Sequence, residues 1–149
     1  MISRILVPTD GSKASRKAVD YAIGLSNQTK ASITILGVVD KGAFIAQTVP
    51  AHSTPTRIRT PIEDYLKNMA EVYVAEAEKR CKKKGLKPVT VIRSGHPVKE
   101  ILKEARRAKS DLIIIGSHGK GALESAVLGS VTYGLIHTNT KYPVLVIRG

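Results

Sequence analysis

Asp111-Leu112-Ile113-Ile114-Ile115-Gly116-Ser117-His118-Gly119-Lys120-Gly121 runs from the most apolar stretch of the chain straight into a glycine-rich turn. A segment able to form a helix follows from about Ala122, and a second small-residue stretch, Gly129-Ser130-Val131-Thr132, lies within it. A buried strand that empties into a glycine turn and then a helix gathers outward-pointing backbone N–H groups in one place. Such places bind anions, usually phosphate.

Outward from this stretch, strand-like and helix-like segments alternate along the whole chain. Ile2 to Thr9 reads as the first strand, with Ile5-Leu6-Val7 as its core and Pro8 ending its ladder for want of an N–H. Asp10-Gly11-Ser12 is a turn, and Ser12 is placed to cap a helix that carries Ala14, Ala18, Ala22 and Leu25 on one face to about Asn27. Ala31 to Val39 is the second strand. Asp40 to Pro61, with three prolines and no period, reads as a mobile loop. A long helix follows from Pro61 or Ile62 to Lys84, striped by Ile62, Leu66, Met69, Tyr73, Ala77 and Cys81, and Gly85 ends it. Lys87 to Arg93 is the third strand. Gly95-His96-Pro97 turns into a helix with Val98, Ile101, Leu102 and Ala105 on one side. A last helix is expected from Leu123 or Ser125 to Thr138, and a fifth strand from Pro143 to Arg148.

This alternation predicts an α/β protein: a doubly wound, mainly parallel five-stranded sheet of order 3-2-1-4-5, Rossmann-like, with helices on both faces. In that order strands 1 and 4 are neighbours where the winding reverses, and ligands bind beyond the carboxyl ends of strands at such a point. Thr9-Asp10-Gly11 and Gly116-Ser117-His118-Gly119 end those strands, so two polar turns converge on one crevice.

With 149 residues, 42% of them hydrophobic and 24% charged, a single globular domain spanning 1–149 is expected. No apolar run approaches the roughly 18 residues that span a membrane, and Met1 leads directly into a strand without a signal-like segment. The single Cys81 excludes an internal disulfide and a multi-cysteine metal site. A cytoplasmic protein is therefore expected. The net charge of +12 is uneven: Glu78 to Lys109 holds twelve Lys/Arg and three Asp/Glu, or +9. Such a region can draw nucleic acid or an acidic partner. Against this, no Tyr lies between 74 and 132 to stack on bases, and a solvated helical face explains the charges as well.

The glycine turn is not a Walker A loop, because Gly121 is followed by Ala122-Leu123. Nor is it the dinucleotide fingerprint, which follows the first strand as G-x-G-x-x-G. What remains is G-x-x-G, nine residues, then G-S: Gly116, Gly119, Gly129 and Ser130. In this spacing the chain resembles the universal stress proteins, whose ATP-binding members carry G-2x-G-9x-G-(S/T). The likeness extends to Ile5-Leu6-Val7-Pro8-Thr9-Asp10-Gly11-Ser12, Gly95-His96-Pro97, Asp111-Leu112-Ile113 and Tyr142-Pro143-Val144-Leu145-Val146.

The resemblance implies a site. Gly119, Gly129 and Ser130, continuing into Val131 and Thr132, would hold the phosphates of ATP. Gly116 and Ser117 would lie by ribose and phosphates, with His118 near the phosphates. Pro8, Thr9 and Asp10 would follow base and ribose, and Val38 would border the adenine. Lys120 could neutralise phosphate charge, and Mg²⁺ would accompany it. The resemblance further implies a nucleotide-dependent stress-response regulator or sensor. No catalytic residue is evident, so any ATP hydrolysis would be slow.

Other readings of the same residues are weaker. A receiver domain needs an Asp after strand 3, where Arg93-Ser94 stand, and a haloacid dehalogenase needs D-x-D where Ser12 stands. A flavodoxin-like phosphate loop over Thr9 to Ser15 lacks flavin-stacking aromatics. Ser117 and His118, being adjacent, form no obvious nucleophile–base pair. A basic binding module for nucleic acid or an acidic partner, and an adenylating enzyme without its second domain, complete the alternatives. Strand 5 has no helix after it, and its apolar edge (Val144, Leu145, Val146, Ile147) predicts a homodimer.

Overall fold

The computed structural model describes residues 1–40, 42, 56–119, 128–139 and 141–149, with the backbone alone for 56–60. Among the described residues strands and helices alternate in the order β1 (Arg4–Pro8), α1 (Lys13–Thr29), β2 (Ser32–Val39), α2 (Thr56–Lys83), β3 (Val89–Ser94), α3 (Pro97–Arg107), β4 (Leu112–Gly116), α4 (Ser130–Thr138) and β5 (Val144–Ile147). All strand pairs are parallel and the order is β3-β2-β1-β4-β5, the doubly wound arrangement expected from the alternation.

The sheet separates two cores. Ile5 and Val7 point to the side of α1 and α2, among Ala18, Ala22, Ile33, Ile35, Val74 and Cys81. Leu6 points to the side of α3 and α4, among Leu36, Ile101, Ile113, Ile115 and Leu135. A strand covered on both faces needs apolar residues at consecutive positions, which is why β1 and β4 read as unbroken apolar runs. Gly37 allows α2 to sit close on β2, since a Cβ there would lie 2.8 Å from Val74 Cγ2.

Two boundaries and one buried face differ from the sequence reading. α2 begins at Thr56, so Pro61 is inside the helix rather than at its start, and the end of the expected loop, from Thr56, is helical. Proline is best placed in a helix's first turn, which drew the predicted boundary to it. The rest of that loop, 41 and 43–55, lies outside the described residues. Within α2 the expected stripe positions Ala77 and Cys81 are buried, but one turn and two turns earlier the core takes Val74 and Ala70, and Tyr73 and Met69 are only half-buried. α4 starts at Ser130, not at Leu123 or Ser125; Gly129 is its N-cap, and Lys120 to Ala126 fall outside the described residues.

Candidate functional site: the crevice between β1 and β4

The crevice opens for a reason visible in the backbone. Arg4 C=O accepts from Asp111 N–H, so Arg4, Leu6 and Pro8 present their backbone to β4. Pro8 has no N–H to give there. The β1–β4 ladder accordingly holds only Ile5↔Leu112 and Leu6↔Ile113. On its other side β1 stays paired to its end, and Thr9 N–H still donates to Leu36 C=O at 2.8 Å. One proline thus unzips the sheet at the switch point while leaving the β2 side intact.

The first wall is the turn after β1. Gly11 takes φ +78°, which glycine alone adopts without strain. Asp10 Oδ1 accepts from Ser12 N–H at 2.9 Å. Ser12 caps α1, its Oγ accepting from Ser15 N–H at 3.2 Å, and the same hydroxyl donates across the crevice to His118 C=O at 3.3 Å. Thr9 is buried, with its hydroxyl donating to Ser15 Oγ. Tyr73 of α2 lies near this wall: burial first, then the charge of Asp10, pushes its phenol up from the usual value. Val38, half-buried on the α3–α4 side, closes the end of β2.

The second wall is the glycine turn. Ser117 N–H donates to Ile147 C=O of β5 at 2.8 Å, and Gly129 N–H returns to Ser117 C=O at 2.6 Å. Thr132 Oγ1 donates to Gly116 C=O at 2.7 Å. These bonds clamp the first turn of α4 against the end of β4. No side chain caps α4, because its N-cap is glycine. Among the described residues the N–H groups of its first turn, at Ser130, Val131 and Thr132, have no acceptor within the helix, and they stand at the positive end of the helix dipole. The glycines keep this place open. A Cβ on Gly129 would lie 3.2 Å from His118 Cα and 3.3 Å from Gly119 N, and one on Gly119 would lie 2.6 Å from Asp10 Oδ2.

The structure thus brings Pro8, Thr9, Asp10, Gly116, Ser117, His118, Gly119, Gly129, Ser130, Val131 and Thr132 around one crevice, with Val38 at the neighbouring strand end. Lys120 lies outside the described residues. The side chains divide their work. Thr132 and Ser117 are buried and serve the loop itself. Gly116 makes room for α1, since a Cβ there would lie 2.7 Å from Ala14 C. Ser117 Oγ does reach His118 Nδ1, at 2.9 Å, despite their adjacency. Ser117 is nevertheless only 1% exposed, so its hydroxyl has no open line of attack. Among the described residues no group of acidic, His and Cys side chains could hold a metal ion, and no helix is long and apolar enough to cross a membrane. Sequence reasoning missed the cross-crevice role of Ser12. It also missed Tyr73, whose stripe position announces only burial.

A family model describing the universal stress protein family matches residues 1–148. The chain belongs to that family. Among its relatives is the universal stress protein MJ0531 of Methanocaldococcus jannaschii, 32% identical over 99% of this chain and 83% of its own. The structure of MJ0577, a hypothetical protein used as a test of structure-based functional assignment, superposes with a TM-score of 0.83 at 30% identity, over 100% of this chain and 97% of that one. A universal stress protein from Archaeoglobus fulgidus, solved in complex with dAMP, shares the fold at TM-score 0.65 and 15% identity, over 99% of this chain and 98% of that one.

Proposed function

We propose that this universal stress protein binds ATP in the β1–β4 crevice and acts as a nucleotide-dependent regulator or sensor of the stress response. The observation that carries the reading is the N-terminus of α4, without a side-chain cap and clamped onto the glycine turn whose Gly119 lies against Asp10. Phosphate oxygens would accept from the N–H groups at Ser130 to Thr132 and from the Ser130 hydroxyl, in the space that Gly119 and Gly129 leave open. Base and ribose would lie along Pro8, Thr9 and Asp10 toward Val38, where an acidic side chain can accept from ribose hydroxyls. Mg²⁺ would enter with the phosphates, and Lys120 would add positive charge.

Hydrolysis would be slow or nil. In-line attack needs a water held and oriented at the terminal phosphate. Ser117 is buried, and the contact described for the His118 ring is to Ser117 through Nδ1, so the crevice shows no group arranged to hold a water at the terminal phosphate among the described residues. We place the protein in the cytoplasm and expect it to act as a homodimer.

Thermal unfolding with ATP, ADP, AMP and duplex DNA tests the proposal. A nucleotide at 100 times its Kd adds about 2.7 kcal/mol of stability. Gly129→Val should abolish that gain by filling the phosphate space. No nucleotide shift alongside a low-salt shift with duplex DNA would overturn the ATP reading.

A further inference from the structure

β3 is the second open edge of the sheet: among the described residues only β2 pairs with it, over Thr34↔Val89 to Val39↔Ser94. Gly95 N–H reaches Val39 C=O at 3.0 Å, which sets the parity of the ladder. Val89, Val91 and Arg93 turn their backbone groups toward β2. Thr90, Ile92 and Ser94 turn theirs outward. Pro88 stands before the strand, and neither proline nor lysine interrupts it. Val89 is 55% exposed at its start, on the side where Val91 joins the α3–α4 core.

The flanks of this edge are basic. The end of α2 and the turn that feeds β3 carry Lys83, Lys84 and Lys87. On the other side α3 is tied to β3 through Glu104, whose carboxylate accepts from Arg93 and Arg107. The three carboxylates between Glu78 and Lys109 are each already in an ion pair: Glu78 with Lys82, Glu100 with Lys103, and Glu104 with both arginines. Lys83, Lys84, Lys87, Arg106 and Lys109 have no carboxylate partner among the described residues.

We propose that the β3 edge docks an extended acidic segment of a partner protein. The segment adds to the sheet through the outward N–H and C=O groups of Thr90, Ile92 and Ser94 and sets its carboxylates against the lysine-rich rim. Charge selects the occupant. A second copy of this chain would bring the same cations face to face, which opposes self-pairing at this edge. Nucleic acid would find no stacking platform, because no Phe, Tyr or Trp lies between 74 and 132, and a strand edge offers its alternating donors and acceptors to another strand.

The test uses a fluorescein-labelled acetyl-Glu-Val-Asp-Val-Glu-Val-Asp-amide peptide and the full chain. Fluorescence anisotropy should show binding that weakens as salt rises. Methylating alternate backbone nitrogens of the peptide, on the hydrogen-bonding side, should weaken it about tenfold or more, since it removes several of the added strand's hydrogen bonds at once. Lys87→Glu with Arg106→Glu should weaken it comparably. Amide NMR shifts on titration should centre on Thr90 to Ser94. Ile92→Pro, which removes an outward N–H and leaves the β2 ladder whole, should bind poorly; if it does not fold, the methylated peptide decides. Equal binding of the methylated peptide, shifts centred elsewhere, or displacement of the peptide by an oligothymidylate of equal charge would overturn the proposal.

Discussion

At Gly119 one methyl group decides whether the crevice stays open. A Cβ there would meet Asp10 Oδ2 at 2.6 Å, while the other oxygen of that carboxylate is held by Ser12 N–H. Gly119→Ala should therefore displace Asp10 and cut the ATP-induced rise in melting temperature, with little change in the unliganded protein. In the double variant with Asp10→Ala the effects on ATP response should fall well short of additive, because one change removes what the other strikes; strict additivity would separate the two residues. Gly116→Ala should do the opposite. Its Cβ would press on backbone atoms of Ala14 and Ser15, so it should lower the stability of the free protein by about 1–3 kcal/mol, read from urea unfolding. The spacing of the four motif positions was legible in the sequence. What each glycine accommodates was not, because a glycine spared for a neighbouring helix and one spared for a ligand look alike until the partner atoms are known. Ser12 shows the same limit. Its capping of α1 follows from local rules, but its bond to His118 C=O joins positions 106 apart.

Elements were legible where their signals are periodic and went astray where a local signal competed. The predicted start of α2 sat at Pro61 because proline favours a first turn, yet the helix runs through it from Thr56. α4 was expected to begin upstream of Gly129, but that glycine caps it, and the same shift turns the motif's last pair into a helix N-terminus. The tie between β3 and α3 left no periodic trace. Glu104 is fully buried in the ladder of α3 and takes charge-assisted bonds from Arg107 and Arg93. These bonds, the one from Arg107 foremost, hold its carboxyl below the usual value against the pull of burial. A depressed carboxyl contributes stability in full above its ordinary pKa and loses it as pH falls through the lower folded value. Glu104→Gln leaves Arg93 and Arg107 partly in solvent rather than as buried charges, so it should cost about 2 kcal/mol near neutral pH, the worth of hydrogen bonds to a charged group. The gap to the parent protein in urea midpoint should shrink as pH falls below the ordinary carboxylate range. A gap that stayed constant with pH would mean that packing, not charge, holds α3 on β3.

For the whole molecule, parallel order and two-faced burial followed from alternation alone, but assembly depends on which edges are left open. The sheet has two. The β3 edge is rimmed with cations, whereas β5 presents Val144, Leu145, Val146 and Ile147, all half-buried, with exposed Tyr133 and Ile136 on the preceding helix. An apolar, uncharged edge suits a second copy of the chain, and a cationic one does not. β5 also touches the site directly, because Ile147 C=O receives Ser117 N–H. The ladder places Leu145 and Ile147 with their backbone toward β4, and so Val144 and Val146 with theirs outward. Val146→Pro then removes an outward donor while leaving the β4 ladder and the Ser117 bond in place. Light scattering on the eluting protein should show a monomer for this variant and a dimer for the parent. The variant should keep its thermal shift with ATP, because the Ser117–Ile147 bond and the Gly129–Ser117 clamp of the glycine turn are left in place. A dimer that survives Val146→Pro would place the interface on another face, and a monomer that has lost the ATP response would mean that the partner subunit completes the site.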